Sequence, residues 1–441
     1  MPNLLRGARQ PRFAILFATL VACAESAPAD SSETEFDPWW LASQQPAPAK
    51  PVDAGPSTDI YAPPQDDPFY EPPAITGQPG DLLRIRNSTF SNDPFFQIPY
   101  DDVMAWQVLY QSTDALDRPN AVSGTILVPA KAWSGSGERP LVSYAVGTRG
   151  LGDGCAPSYT LPLGVDYEGD IVRTLLDQGW AVAITDYEGS GTPGRHTYMV
   201  GPSEGHAVLD LARAAQRLDG AGLGSNTPVG LMGYSQGGGA AGWAAELAAS
   251  YAPELDVKGS AVGGVPGDLA ATAEFLNGSP LVAFALMAAL GLDAAYPELD
   301  LDGHLNAHGR AILPKGESLC ISSLDGFGSV IGDFSFTSFN DYTTSDLLMD
   351  PAWRARLREV QLGKTKPSAP VYQYHSLLDE IVPFEQAATL RTTWCTLGAD
   401  VTWDVLPAEH ALGIAVGPSL AIPWLAERFA GKATASNCDA P

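Results

Sequence analysis

The apolar residues of this chain fall into short unbroken runs separated by stretches with helical spacing. Residues 140–146, 181–185 and 229–232 are largely apolar at consecutive rather than alternate positions, and 257–265 reads as a further strand. That is the pattern of strands buried on both faces. Between them, 171–178, 203–218 and 240–250 have helical character; Val208, Leu211, Ala212 and Ala215 recur at i, i+3, i+4 and i+7. Strands alternating with helices predict an α/β fold, a mostly parallel central sheet covered on both faces. Two earlier strands, 103–110 and 124–128 with a turn around 117–120, predict an antiparallel start. The rhythm breaks at 266–367, where an alanine- and leucine-rich helix over 269–292 leads into glycine-rich irregular sequence. It resumes with strands at 370–374 and 400–405 and helices at 384–391 and 419–429. An interruption so late in a parallel sheet predicts a largely helical cap.

Composition sharpens this picture at the N-terminus. Arg6, Arg9 and Arg12 precede an apolar run over 13–22, long enough for a secretory signal and too short to span a bilayer. The run ends Leu20-Val21-Ala22-Cys23, which resembles a bacterial lipobox. Residues 1–22 are therefore expected to be a lipoprotein signal peptide and Cys23 the lipid anchor of an exported, cell-envelope protein. The outer membrane is favoured over retention because Ala24 follows. An ordinary secretory signal with an incidental cysteine is the competing reading. Residues 23–61, rich in Ala, Pro, Ser, Asp and Glu, read as an acidic tether, and 62–441 as the folded domain. The 51 acidic residues outnumber 25 lysines and arginines, a net charge of −26, which argues against nucleic-acid partners. Cys155, Cys320, Cys395 and Cys438 remain, enough for two disulfides in any of three pairings. No Cys-x-x-Cys occurs, and the spacing does not suit zinc.

The chemistry concentrates at Gly233-x-Ser235-x-Gly237, between a predicted buried strand and a predicted helix. A serine on such a junction is a nucleophile elbow. A serine hydroxyl needs a base, and the base a carboxylate, in the chain order Ser, acid, His. His410 follows the strand at 400–405 and leads into the last helix, which makes it the expected base. Asp379, in the loop after the strand at 370–374, is the expected acid; Glu380 is its rival and Asp404 a weaker one. His375 ends that strand too early to serve. The oxyanion needs two donors. One is the backbone amide of Gln236; the other lies in the loop after strand 140–146, at Thr148, with Gly147 and Arg149 as alternatives. Arg149 is otherwise expected to pair with surface carboxylates.

Several signatures in order carry a family resemblance: Asp67-Pro-Phe-Tyr70, Cys155-Ala-Pro-Ser-Tyr159, Asp186-Tyr-Glu-Gly189, Gly233-Tyr-Ser235-Gln-Gly-Gly238, Gly263-Gly-Val-Pro266 and Asp379 before Val382-Pro383. Over roughly 67–438 the chain resembles the secretory lipases of the α/β-hydrolase superfamily, the lipase A type of yeast. The resemblance implies an α/β-hydrolase fold, a Ser235–Asp379–His410 triad and Gln236 as an oxyanion donor. It also implies an acyl tunnel in the cap and disulfides Cys155–Cys320 and Cys395–Cys438. No metal or organic cofactor is implied. One departure stands out: the yeast enzyme has an acidic residue where this chain reads Gly147-Thr148-Arg149. The expected activity is hydrolysis of acyl esters, including triacylglycerols. Short-chain esterase, acyltransferase, serine peptidase and non-catalytic surface binding protein are the alternatives.

Overall fold

The structure is a computed structural model that describes residues 59–439 apart from 322–325, 327 and 329–331. The expected signal peptide, Cys23 and the tether up to residue 58 lie outside the described residues. Nine strands form one sheet in the order β1-β2-β3-β5-β4-β6-β7-β8-β9. They are β1 Leu82–Ser88, β2 Val103–Thr113, β3 Pro119–Pro129, β4 Leu141–Ala145, β5 Ala181–Thr185, β6 Val229–Tyr234, β7 Val257–Gly263, β8 Val371–Ser376 and β9 Val401–Leu406. The first three form an antiparallel meander, and β3 meets β5 antiparallel. From β5 across to β9 every pairing is parallel. This is the α/β-hydrolase fold that the resemblance implied. Each residue of β4, β5 and β6 is buried, as their unbroken apolar runs require.

Helices cover both faces of the sheet. Gly201–Arg217 lies against β2 and β4, where its Ala207 and Val208 carbonyls accept hydrogen bonds from Tyr110 and Ser143. It crosses close to the helix Gln236–Tyr251: a Cβ on Gly205 would come 2.9 Å from that of Trp243. The cap lies between β7 and β8 and supplies most of a second apolar cluster, including Leu286, Leu290, Tyr296, Leu299 and Trp353, which Leu151, Tyr198, Met199 and Val200 of the body complete. Two disulfides, Cys155–Cys320 and Cys395–Cys438, are formed.

Four expectations need correction. The cap's first helix is two, Leu269–Leu276 and Ala283–Ala295. Asn277-Gly278-Ser279-Pro280 intervenes, with Gly278 at φ +79° and a proline that cannot donate to a helix. The later cap is not irregular throughout, since Ala307–Gly316 and Pro351–Glu359 are helical. The β2–β3 turn falls earlier than expected, because the Asp114 carboxylate accepts the amides of Leu116 and Arg118, leaving Pro119 to open β3. The helix expected over 384–391 runs on to Thr396 and so carries Cys395. No helix among the described residues is long and apolar enough to cross a membrane.

Candidate active site

Ser235 stands between β6 and the helix Gln236–Tyr251 at φ +58°, ψ −122°, a conformation costly for a side-chain-bearing residue. The surrounding glycines explain how the chain can turn there. A Cβ on Gly233 would lie 2.2 Å from the Gly237 carbonyl oxygen. One on Gly237 would lie 1.9 Å from that of Ala145 at the end of β4. One on Gly238 would lie 2.1 Å from that of Gly263 at the end of β7. The helix start is wedged between two strand ends, where only hydrogen fits. Its position leaves the Gln236 amide at the helix N-terminus, where no carbonyl within the helix can accept it.

The Ser235 hydroxyl lies 2.9 Å from His410 Nε2, and His410 Nδ1 lies 2.7 Å from Asp379 Oδ2. Asp379 Oδ1 accepts the amides of Ile381 and Val382 at 3.0 and 2.7 Å. Burial pushes the Asp379 carboxyl up, but the His410 hydrogen bond, the neighbouring histidines and the Val382 amide outweigh it and hold it below its ordinary range. An ionised Asp379 fixes the imidazole with its proton on Nδ1 and leaves Nε2 free to take a proton from Ser235. The Tyr234 hydroxyl donates to the His410 carbonyl at 2.8 Å, fixing the backbone that carries the imidazole.

The rival residues lie nearby in other roles. Glu380 accepts the backbone amide of His410 at 3.0 Å and makes no hydrogen bond to its ring. Asp404 accepts from Tyr372. His375 is fully buried, with Nε2 donating to the Val382 carbonyl at 3.0 Å. Desolvation lowers its pKa, against the raising effect of Asp379.

The loop after β4 departs from expectation in two ways. Arg149 does pair with carboxylates, but both are buried: Asp166 at 2.7 Å and Glu168 at 3.2 Å. Its guanidinium also lies over the Tyr167 ring at 3.9 Å. Glu168 accepts the Gly147 amide at 3.1 Å, which removes that alternative as an oxyanion donor. The Thr148 carbonyl accepts from Tyr167, and the Thr148 hydroxyl bonds Tyr198 at 2.8 Å. The backbone amides of Thr148 and Arg149 have no hydrogen-bond partner among the described residues.

Two residues that sequence reasoning missed flank Gln236. Its side-chain amide donates to Glu204 at 2.7 Å and meets His196 Nε2 at 3.3 Å. Both precede Ser235 by thirty residues or more, and neither belongs to a motif that announces it.

Beside Ser235 opens a narrow apolar cavity of about 40 Å³, walled by Met199, Leu269, Ala273, Leu276, Phe284 and Ile381. A second, of about 50 Å³, lies deeper in the cap. The two share the walls Leu269, Ala273, Ala285 and Ala288.

The secretory lipase family profile matches residues 156–437. A probable inactive lipase of Mycobacterium tuberculosis is 32% identical over 385 residues, covering 84% of this chain and 83% of that protein. A secreted triacylglycerol lipase of Malassezia globosa is 32% identical over 395 residues, covering 85% and 81%. The closed-state crystal structure of Candida antarctica lipase A superposes with a TM-score of 0.74 at 28% identity, covering 87% of this chain and 90% of that one. On this extent of match the chain belongs to the secretory lipase family and is a carboxylic-ester hydrolase acting on acyl esters.

Proposed function

We propose that Ser235, His410 and Asp379 hydrolyse medium- and long-chain acyl esters, triacylglycerols included, through an acyl-enzyme. His410 Nε2 takes the Ser235 proton as the hydroxyl oxygen attacks the ester carbonyl. The negative oxygen that develops is met by the Gln236 amide and by the Thr148 or Arg149 amide. Collapse expels the alcohol, protonated by His410, and water then repeats the sequence on the acyl-enzyme. Asp379 stabilises the imidazolium that forms in each step.

The observation that carries this reading is the unbroken chain from Ser235 through His410 to Asp379, opening on an apolar cavity. The M. tuberculosis relative, described as a probable inactive lipase, makes loss of activity within the family the specific alternative. Peptide mapping after reaction with a fluorophosphonate probe decides between them. The adduct is expected on Ser235, abolished by Ser235→Ala; an active protein labelled elsewhere, or one that neither labels nor turns over an ester, overturns the assignment. Substrate length is tested by kcat/KM on p-nitrophenyl esters from acetate to palmitate, with emulsified triacylglycerol alongside. A maximum at acetate with negligible triacylglycerol turnover would leave a short-chain esterase.

Export belongs to the same proposal. The three N-terminal arginines, the apolar run and Ala22-Cys23 support acylation of Cys23 and envelope attachment. Mass spectrometry of the mature N-terminus tests it, and cleavage downstream of Cys23 refutes it.

A further inference from the structure

Behind the oxyanion site lies a buried polar cluster that the mechanism above does not use. Glu204 stands in the first turn of the helix Gly201–Arg217 and is 1% exposed. Its Oε1 accepts two hydrogen bonds, from the Gln236 side-chain amide at 2.7 Å and from the Met199 backbone amide at 2.9 Å. His196 completes the cluster. Its Nδ1 donates to the Glu188 carbonyl at 2.8 Å, so Nε2 carries the lone pair that faces the Gln236 amide at 3.3 Å. Both N–H groups of Gln236 thus have acceptors, one on Glu204 and one on His196.

The same short segment reaches the other half of the oxyanion site. Tyr198, next to Met199, bonds the Thr148 hydroxyl at 2.8 Å. Met199 is held at φ +64°, a strained conformation for this residue, and its side chain walls the cavity beside Ser235. A carboxyl oxygen that fixes Gln236 on one side and the Met199 amide on the other therefore ties together both flanks of the site.

We propose that Glu204 is a positioning residue for ester hydrolysis, its carboxyl bracing Gln236 and the 196–199 segment so that the donors on both sides of the oxyanion stay aimed. The proposal rests on the reading that Ser235 is the nucleophile and the Gln236 amide an oxyanion donor. A neutral brace suits this place, because an ionised carboxylate behind the Gln236 side chain would oppose a negative oxygen developing at the Gln236 amide. Burial supplies one: it pushes the Glu204 carboxyl up to about 8, against the lowering hydrogen bonds from Gln236 and Met199. Burial likewise brings His196 down to about 4, which preserves its accepting nitrogen. Without the carboxyl, the Gln236 carboxamide and the Met199 amide each lose an acceptor in a site closed to water. The freed Gln236 side chain then has the cavity beside Ser235 to move into.

The test is a double-mutant cycle on the full-length protein with p-nitrophenyl butyrate. Glu204→Ala is expected to lower kcat by tenfold or more with KM changed less than threefold. Glu204→Gln, which keeps the accepting oxygen without a charge, is expected to restore at least a third of the wild-type kcat. Because Glu204 acts through Gln236, Glu204→Ala combined with Gln236→Ala is expected to cost no more than the worse single change. Should Glu204→Ala not fold, Glu204→Asp, which withdraws the carboxyl by one methylene, takes its place in the cycle. Multiplying effects, an unchanged kcat in the first variant, or a Glu204→Gln variant as slow as Glu204→Ala would each overturn the proposal. Fluorophosphonate mapping of every variant keeps the premise separate: labelling away from Ser235 refutes the nucleophile, whereas labelling at Ser235 with an unchanged kcat refutes only the brace.

Discussion

Removing the two disulfides separately should give similar losses of stability and very different losses of activity. Cys155–Cys320 closes a loop with a sequence separation of 165, and Cys395–Cys438 one of 43. Chain-entropy arguments put their contributions at about 5 and about 4 kcal/mol, because the dependence on loop length is only logarithmic. The functional settings differ far more. Cap residues around Cys320 run against the loop after β4: Ile321 donates to the Arg149 carbonyl, and Leu151 donates to Leu319. Cys155 is fully buried behind that loop. Cutting this bridge loosens the mooring of the Thr148 and Arg149 amides. Cys438 instead holds the C-terminal tail, where Asn437 donates to the Val401 carbonyl at the start of β9, the edge of the sheet away from Ser235. Cysteine-to-serine pairs, compared by urea unfolding and by kcat on p-nitrophenyl butyrate, test this. Both pairs should lose stability, differing from each other by about 1 kcal/mol. Only Cys155→Ser with Cys320→Ser should lose tenfold or more in kcat under conditions where it remains folded. A destabilised but fully active Cys155–Cys320 variant would refute the link between the bridge and the oxyanion loop. Equal activity losses in both pairs would refute it as well.

Other outcomes follow from the same geometry. Asp379→Asn should lower kcat by about 10⁴-fold, as loss of the orienting carboxylate does in other serine hydrolases, with Ser235 still in place; a loss below tenfold would return Glu380 to contention. Ala273→Phe, at the wall common to both cavities, should shorten the preferred acyl chain. Each methylene excluded forfeits about 0.8 kcal/mol, roughly fourfold in kcat/KM, and an unchanged length profile would place the acyl chain elsewhere. Glu204 also links stability to pH. Its folded pKa is raised to about 8 from an ordinary 4.5, so the native state keeps a proton that the unfolded chain releases. Its stabilising contribution is complete below pH 4.5 and is lost as the pH rises through 8, roughly 5 kcal/mol in all. His196, Tyr187, Tyr198 and Gln236 surround the group. The difference between wild type and Glu204→Gln in urea midpoints at pH 5 and pH 8.5 isolates it, and parallel pH profiles would contradict it.

How far the site was legible in the sequence depended on how local its cause was. The elbow could be read because its glycines and serine form one short run at the end of an apolar strand, even though the collisions with Ala145 and Gly263 that require two of those glycines are not local. Asp379 and His410 could be read because each follows a strand whose apolar run is unmistakable. β1 escaped notice because its Leu-Leu-Arg-Ile-Arg-Asn-Ser run is only half buried and carries two arginines. The break at 277–282 was hidden by the alanine and leucine on either side, although Gly278 and Pro280 stood in plain view. Arg149 was expected at the surface since arginines usually are. Its burial depends on Asp166 and Glu168, and no spacing rule connects those residues to it. Glu204 was harder still. Its partners are a residue that caps the catalytic turn and a backbone amide in a strained segment, and only the folded chain brings the three together.

The cap's separate apolar cluster has a consequence for how the enzyme can be altered. A segment that supplies most of its own interior is transplantable once the body residues that complete it are kept. Its moorings to the body include Leu151, Tyr198, Met199 and Val200 within that cluster, together with Cys320, Asp293 with Arg195, and Gly291 against the Tyr198 backbone. Exchanging the stretch between β7 and β8 with that of a relative, moorings retained, would re-specify what the enzyme accepts while leaving the glycine-packed junction at Ser235 untouched. Chimeras rather than point changes are then the economical route to new acyl specificities on this scaffold.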